Sequence, residues 1–250
     1  MEANNSNIDS ILSVKDVSVV LGGKTIIHDI DFEVARGESL AIIGPNGSGK
    51  TVLYRALIGA LPYGGEIAWA QGAKIGYVPQ RLDLERGLPL TLKDFLSAKV
   101  KISGAKSSAV AKALELVHLP ADFLNKKLST LSAGQLQRAL IAFAMIGDPN
   151  VLLFDEPTSG VDVPREEQIY DTLHRLQAER DLTLLIISHD LSLVYRYATN
   201  VLCLNQKMVC FGTPHHVLTT ENLKHLYGER VIYHHHHGDD VMHEEKHHSK

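Results

Sequence analysis

The sequence predicts an α/β fold organised on a parallel β-sheet, and three observations carry that prediction. An apolar run, Leu40 to Ile43, leads directly into G-P-N-G-S-G-K-T at Gly44 to Thr51. A second run, Val151 to Phe154, is too short for a globular helix, is bounded by Asp148-Pro149-Asn150 and ends in Asp155-Glu156. From Val151 to Ser188 strand-length apolar runs alternate with a helix-length charged segment, Arg165 to Arg180. Short continuous apolar runs between turn signals are the pattern of strands buried on both faces, as in a parallel sheet.

Ile11 to Gln80 reads as an antiparallel β region followed by the glycine-rich segment, with Gly64-Gly65 and Gly72 as turn signals. Strand, glycine-rich loop, then helix is the context that makes Gly44 to Thr51 a phosphate-binding loop of the P-loop NTPase type. Gly44, Gly47 and Gly49 let backbone N–H groups curl around phosphate oxygens, with Pro45, Asn46 and Ser48 completing the loop. The helix starting near Lys50 aims its positive end at the same point. Lys50 is expected to pair with the β- and γ-phosphates, and Thr51 to offer its hydroxyl to Mg²⁺. A glycine-rich turn with an incidental lysine would lack the strand ahead and the helix behind.

From Arg81 to about Gly147 the pattern turns helical. Thr91 with Asp94 resembles a capping box ahead of Phe95 and Leu96, and Val110, Leu114 and Val117 make an apolar stripe that reads as core packing. In the strand that follows, an Asp at position 155 can hold Mg²⁺ through its water shell. Glu156, expected on the opposite face of the strand, can reach an attacking water. Arg165 to Arg180 reads as a charged, exposed helix, and Val201 to Leu204 with Met208 to Phe211 as a hairpin.

Leu131-Ser132-Ala133-Gly134-Gln135 precedes a helix-like stretch whose apolar positions Leu136, Leu140, Phe143 and Ala144 recur at helical spacing. It closely resembles the L-S-G-G-Q signature of ATP-binding cassette (ABC) ATPases. Around it stand further marks in family order: Gln80 after Tyr77-Val78-Pro79, Ser159-Gly160-Val161-Asp162, and His189 after Leu184 to Ser188. The resemblance covers about Val14 to Pro214. It implies a RecA-like core at 11–80 and 148–214 with an antiparallel β region and an inserted helical signature subdomain at 81–147. The ABC ATPase domain is then 11–214, followed by a C-terminal extension at 215–250.

The resemblance also implies roles. Two chains face each other head to tail as a homodimer, so Ser132, Gly134 and Gln135 of one chain cap the γ-phosphate held by the loop of the other. Glu156 is then the general base, His189 holds the γ-phosphate and water in line, Asp162 contacts across the dimer, and Gln80 is a Mg²⁺ and water ligand that senses the transport partner. ATP and Mg²⁺ are the implied cofactors. Ala133 stands where the family more often has glycine, and Leu21 where it more often has an aromatic to stack on adenine. An aliphatic cover forgoes a stacking contribution on the order of 1 kcal/mol.

Composition narrows the reading. A chain of 250 residues, 44% hydrophobic, holds one nucleotide-binding domain rather than two. A net charge of −4 without a Lys/Arg-rich block gives no electrostatic case for nucleic acid. Cys203 and Cys210 fit no C-x-x-C pattern and are expected as buried thiols in a reducing compartment. The polar, acidic first ten residues read as neither secretory signal nor transit peptide. No apolar stretch approaches the roughly 18 residues that span a bilayer. If the ATPase drives transport, the pore is expected in separate polytopic membrane subunits, with this chain on their cytoplasmic face.

Ten of the 14 histidines lie from His215 onward, and seven fall in the last 17 residues. His234, His235, His236, His237, His243 and His247, interleaved with Asp239, Asp240, Glu244 and Glu245, offer imidazole and carboxylate ligands suited to Zn²⁺. An expression tag is the bland alternative, but four histidines followed by a mixed acidic run are not its usual form. Leu226-Tyr227-Gly228-Glu229-Arg230, leading to Tyr233-His234, resembles the C-terminal region of ATPases from zinc and manganese uptake ABC importers. The expected function is therefore the ATP-binding subunit of an importer for a divalent metal, zinc first, manganese or iron second, supplied by an extracytoplasmic metal-binding protein. A metal-cluster assembly scaffold is the rival from another class.

Overall fold

The computed structural model describes residues 9–80, 89–156 and 163–228. Two sheets organise them. The first is antiparallel, in the order β2, β1, β4: β1 (Ser10–Leu21) pairs with β2 (Lys24–Ala35) on one edge and with β4 (Gly64–Trp69) on the other. The second has six strands. Its order is β5 (Ile75–Val78), β6 (Val151–Asp155), β7 (Thr183–Ile187), β3 (Ser39–Ile43), β8 (Asn200–Asn205) and β9 (Lys207–Gly212). The first five run parallel and β9 turns back antiparallel.

Every residue of β3, β6 and β7 is buried, which is why these strands read as unbroken apolar runs. Alternation divides their side chains between two layers. Leu40, Ile42, Val151, Leu153, Leu185 and Ile187 face α1 (Lys50–Leu57) and the antiparallel sheet, in a core that includes Val14, Ile27, Leu53 and Tyr54. Leu152, Phe154, Leu184 and Ile186 face the other way, into a core shared with α2 (Leu92–Ser103), α3 (Ala109–Leu116), α4 (Ala133–Met145) and α5 (Val163–Arg180).

The helical signals hold at residue level. Thr91 caps α2 through a complete capping box with Asp94, and Gly104 ends the helix at φ 67°. On the stripe expected from Val110, Leu114 and Val117 are buried and Val110 is half-buried. The charged helix α5 is not exposed all round, since Ile169, Tyr170, Leu173 and Leu176 are buried. Such a stripe lets a largely polar sequence dock by one face. Among the described residues no helix is long and apolar enough to cross a membrane.

One expectation is corrected. Cys203 and Cys210 are not separate thiols: they stand directly opposite on β8 and β9, with Cα atoms 4.9 Å apart, and are joined as a disulfide. A spacing of seven residues carries no pairing signal by itself. The antiparallel register around Gln206, which adopts φ 63°, creates it. Free thiols therefore no longer argue for a reducing compartment. After β9 the chain packs Leu218 and the helical residues Leu223 and Leu226 against Ile43, Val201 and Cys203.

Candidate active site

The strand order lines up four carboxyl ends, those of β5, β6, β7 and β3, and each carries part of the site. Open parallel sheets place ligands at this edge. At the end of β3 the chain turns at Gly44, φ 156°, where an added Cβ would lie 2.0 Å from the carbonyl oxygen of Leu204. Gly49, φ 103°, enters α1 where a Cβ would lie 2.2 Å from Ile27 Cγ2. Both neighbours belong to the packed frame, so no larger residue fits without displacing the loop. The β8–β9 turn buttresses the loop: Gln206 N–H donates to the Ser48 carbonyl at 2.8 Å, and His28 N–H to the Gln206 carbonyl at 2.9 Å.

Between these glycines, Pro45 is half-buried, Asn46 and Gly47 are exposed and Ser48 is buried. The first-turn N–H groups of α1 lack intrahelical partners and add their partial positive charge there. Lys50 is buried, and its Nζ donates to the carbonyls of Gly44 at 2.8 Å and Pro45 at 3.1 Å. Burial lowers its pKa, against the opposing pull of Glu156 and Asp155. Phosphate oxygens can take the place of these two carbonyls as partners of the amine.

Asp155 ends β6 almost fully buried. Thr51 Oγ1 donates to Asp155 Oδ1 at 3.3 Å, across 104 residues of sequence. Burial raises the Asp155 pKa, countered by the bond from Thr51 and reinforced by Glu156. Tyr77 OH lies 3.4 Å from Asp155 Oδ2, and burial together with Asp155 pushes the phenol up to about 12. A hydroxyl and a carboxylate converging at the start of α1 are hard oxygen donors of the kind Mg²⁺ takes.

Glu156 follows the strand at φ 50° rather than continuing its alternation. That left-handed step differs from the simple opposite-face placement the sequence suggests. A non-glycine residue there is uncommon and carries a backbone cost that the surrounding contacts must offset. It brings the carboxylate to His189, whose Nε2 is 2.6 Å from Glu156 Oε1, and to Gln80, whose Nε2 donates to Glu156 Oε2. Glu156 is mostly buried and His189 about half exposed, so the pair opens on solvent from the imidazole side. Gln80, Glu156 and His189 come from three neighbouring strand ends.

The signature residues stand apart from this cluster. Ser132 caps α4, its Oγ accepting from Gln135 N–H at 3.3 Å while Gln135 Oε1 accepts from Ser132 N–H at 3.0 Å. Gly134 is half-buried on the first turn. Among the described residues, none of the hydrogen bonds of Ser132 or Gln135 reaches the phosphate loop or Glu156. Asp162 and His234, His235, His236, His237, His243 and His247 lie outside the described residues. Sequence reasoning passed over Tyr77 and Gln206. The only signal for Tyr77 was a phenol in a strand next to one that ends in an acid, and Gln206 donates through its backbone, which no side-chain pattern reports.

A phosphate loop at one strand end, a buried Asp beside the loop threonine and a Glu–His–Gln cluster beyond it define an ATPase of the P-loop α/β class. Residues 27–159 match the family model of the ABC transporter, and the chain belongs to that family. Among its relatives, the zinc import ATP-binding protein ZnuC of Photorhabdus laumondii is 39% identical over 222 residues, 88% of this chain and 85% of the relative. The ZnuC of Haemophilus influenzae is 35% identical over 229 residues, 91% and 84% of the two chains. A solved chain of a metal-chelate type ABC transporter in an inward-facing conformation superposes with a TM-score of 0.78 at 27% identity, over 87% of this chain and 89% of that one.

Proposed function

We propose that this chain is the ATP-binding subunit of an importer that hydrolyses ATP to take up a divalent metal ion, with zinc as the cargo. The carrying observation is the extent of likeness to zinc import ATP-binding proteins. The match to the Photorhabdus protein runs over 222 residues, 88% of this chain, at 39% identity. The ATPase domain is 11–214, with the RecA-like core at 11–80 and 148–214 and the helical signature subdomain at 81–147.

In this reading Lys50 and the loop N–H groups hold the β- and γ-phosphates, and Thr51, Asp155 and Gln80 hold Mg²⁺ directly or through water. When bound, that ion neutralises phosphate charge. Glu156 accepts the proton of the attacking water and His189 holds that water in line. Ser132, Gly134 and Gln135 complete the site from a second copy, with Asp162 crossing the dimer. The capping box leaves the Ser132 hydroxyl hydrogen available to donate while its oxygen accepts from Gln135. Two polytopic membrane subunits would carry the ion, with this chain on their cytoplasmic face and an extracytoplasmic protein delivering the metal.

The test is reconstitution of the chain with its membrane subunits and metal-binding protein in vesicles, followed by uptake of labelled Zn²⁺. ATP-dependent zinc accumulation that tenfold excess Mn²⁺ or Fe²⁺ does not suppress is expected. Preferential Mn²⁺ or Fe²⁺ transport would reassign the cargo, and isolation only in a soluble complex would favour the cluster-assembly role.

The histidine tail is read as a metal-responsive segment that acts on the ATPase. A chain ending at Tyr233 should retain ATP-driven transport but lose the Zn²⁺ dependence of its ATPase rate. Identical zinc titrations of the short and full chains would reduce the tail to a passive chelator.

A further inference from the structure

We propose that Tyr77 is a positioning residue for Asp155, and that its hydroxyl fixes the rotation of the carboxylate that meets the metal of the nucleotide. The inference rests on the reading of Asp155 as a metal ligand given above. It starts from register. β5 and β6 are parallel neighbours with Tyr77 level with Leu153, and Leu153 and Asp155, two residues apart, share one face of β6. Tyr77 therefore stands on the side of the sheet that carries Asp155 and α1, one strand away. The two-residue offset is about 6.6 Å along the strand, a span that a tyrosine, and no other side chain of β5, bridges with a donor at its tip.

The carboxylate needs that donor. Asp155 is 3% exposed, and each of its oxygens must find a partner within the protein. Oδ1 takes the Thr51 hydroxyl at 3.3 Å and Oδ2 takes the Tyr77 hydroxyl at 3.4 Å. Lys50, the nearby amine, is already committed to the carbonyls of Gly44 and Pro45. The terminal torsion of Asp is broad, so packing alone does not choose which way the carboxylate plane lies. Two donors from opposite sides do choose it: Thr51 from the helix and Tyr77 from the edge strand. The same strand end continues to Gln80, which donates to Glu156, so the edge strand supplies a donor to each of the two acids.

Isothermal titration of ATP into the full chain, its Tyr77→Phe variant and its Asp155→Asn variant, in EDTA and across a Mg²⁺ series, tests this. Phenylalanine keeps the ring and removes only the hydroxyl. Tyr77→Phe should bind ATP in EDTA within twofold of the parent, yet need about fivefold to tenfold more Mg²⁺ for half of the metal-dependent gain in affinity. Loss of one long hydrogen bond to the carboxylate corresponds to a change of that size. Asp155→Asn should lose most of the metal-dependent gain. If Tyr77→Phe keeps the parent's Mg²⁺ midpoint while Asp155→Asn loses the gain, the role of Tyr77 is refuted. A fall in ATP affinity in EDTA equal to that in Mg²⁺ would also refute it, because Tyr77 would then be supporting the fold. If Asp155→Asn retains the gain, the assignment of Asp155 itself fails.

Discussion

Replacing Glu156 by glutamine is expected to lower ATP turnover by about 10² to 10⁴-fold, the usual contribution of a positioned general base, while leaving ATP binding within a few fold of the parent. The carboxylate sits 2.6 Å from His189 Nε2 and accepts from Gln80 Nε2, and glutamine is nearly isosteric with it. The amide keeps one acceptor oxygen and gains two donor hydrogens, so it still occupies the left-handed step after β6 but cannot take a proton from water. In the proposed nucleotide-bridged dimer closure is undone by hydrolysis, so the variant should accumulate as an ATP-bound dimer. Size-exclusion chromatography with Mg-ATP reads that state directly, and hydrolysis at the parent rate would reject Glu156 as the base.

The buried parallel strands were legible because burial on both faces forces an unbroken apolar run, and Leu40–Ile43, Val151–Phe154 and Leu184–Ile187 show it. The helix start at Thr91 was legible because capping is local and its box closes within four residues, whereas the equally local box of Ser132 with Gln135 went unread behind the signature motif. What stayed hidden depends on register between distant segments. Tyr77 meets Asp155 across 78 residues, and Gln206 reaches the phosphate loop from a turn more than 150 positions on. Cys203 and Cys210 become partners only once β9 folds back beside β8. The left-handed Glu156 was hidden for another reason. Its conformation is imposed by the contacts of the folded site, and intrinsic preference would have placed glycine or asparagine there.

Replacing Lys50 by methionine is expected to weaken ATP binding by at least about 100-fold without lowering the melting temperature. The affinity loss follows from removing a cation that would bond two phosphates, since hydrogen bonds to charged groups contribute roughly 1.5–3 kcal/mol each. The stability expectation follows from the sign of the pKa shift. Burial holds the amine below its ordinary value of 10.5 despite Glu156 and Asp155, so the unfolded chain binds the proton more tightly than the folded one. Stability then rises with pH through the window between the folded value and 10.5, and below that window the charge opposes folding. Asp155 is shifted upward from 3.8, so its ionised form opposes folding above its folded value. The phosphate loop is thus electrostatically costly by design of its burial, and nucleotide with its metal offsets that cost. Methionine fills a similar volume without a charge, so the desolvation cost that the buried amine carries is removed. Thermal melts at pH 7 without nucleotide, beside titrations with ATP, separate the two effects. A fall of more than about 5 °C would mean that the bonds from Nζ to the carbonyls of Gly44 and Pro45 hold the loop together, and that Lys50 supports the fold as well as the phosphates.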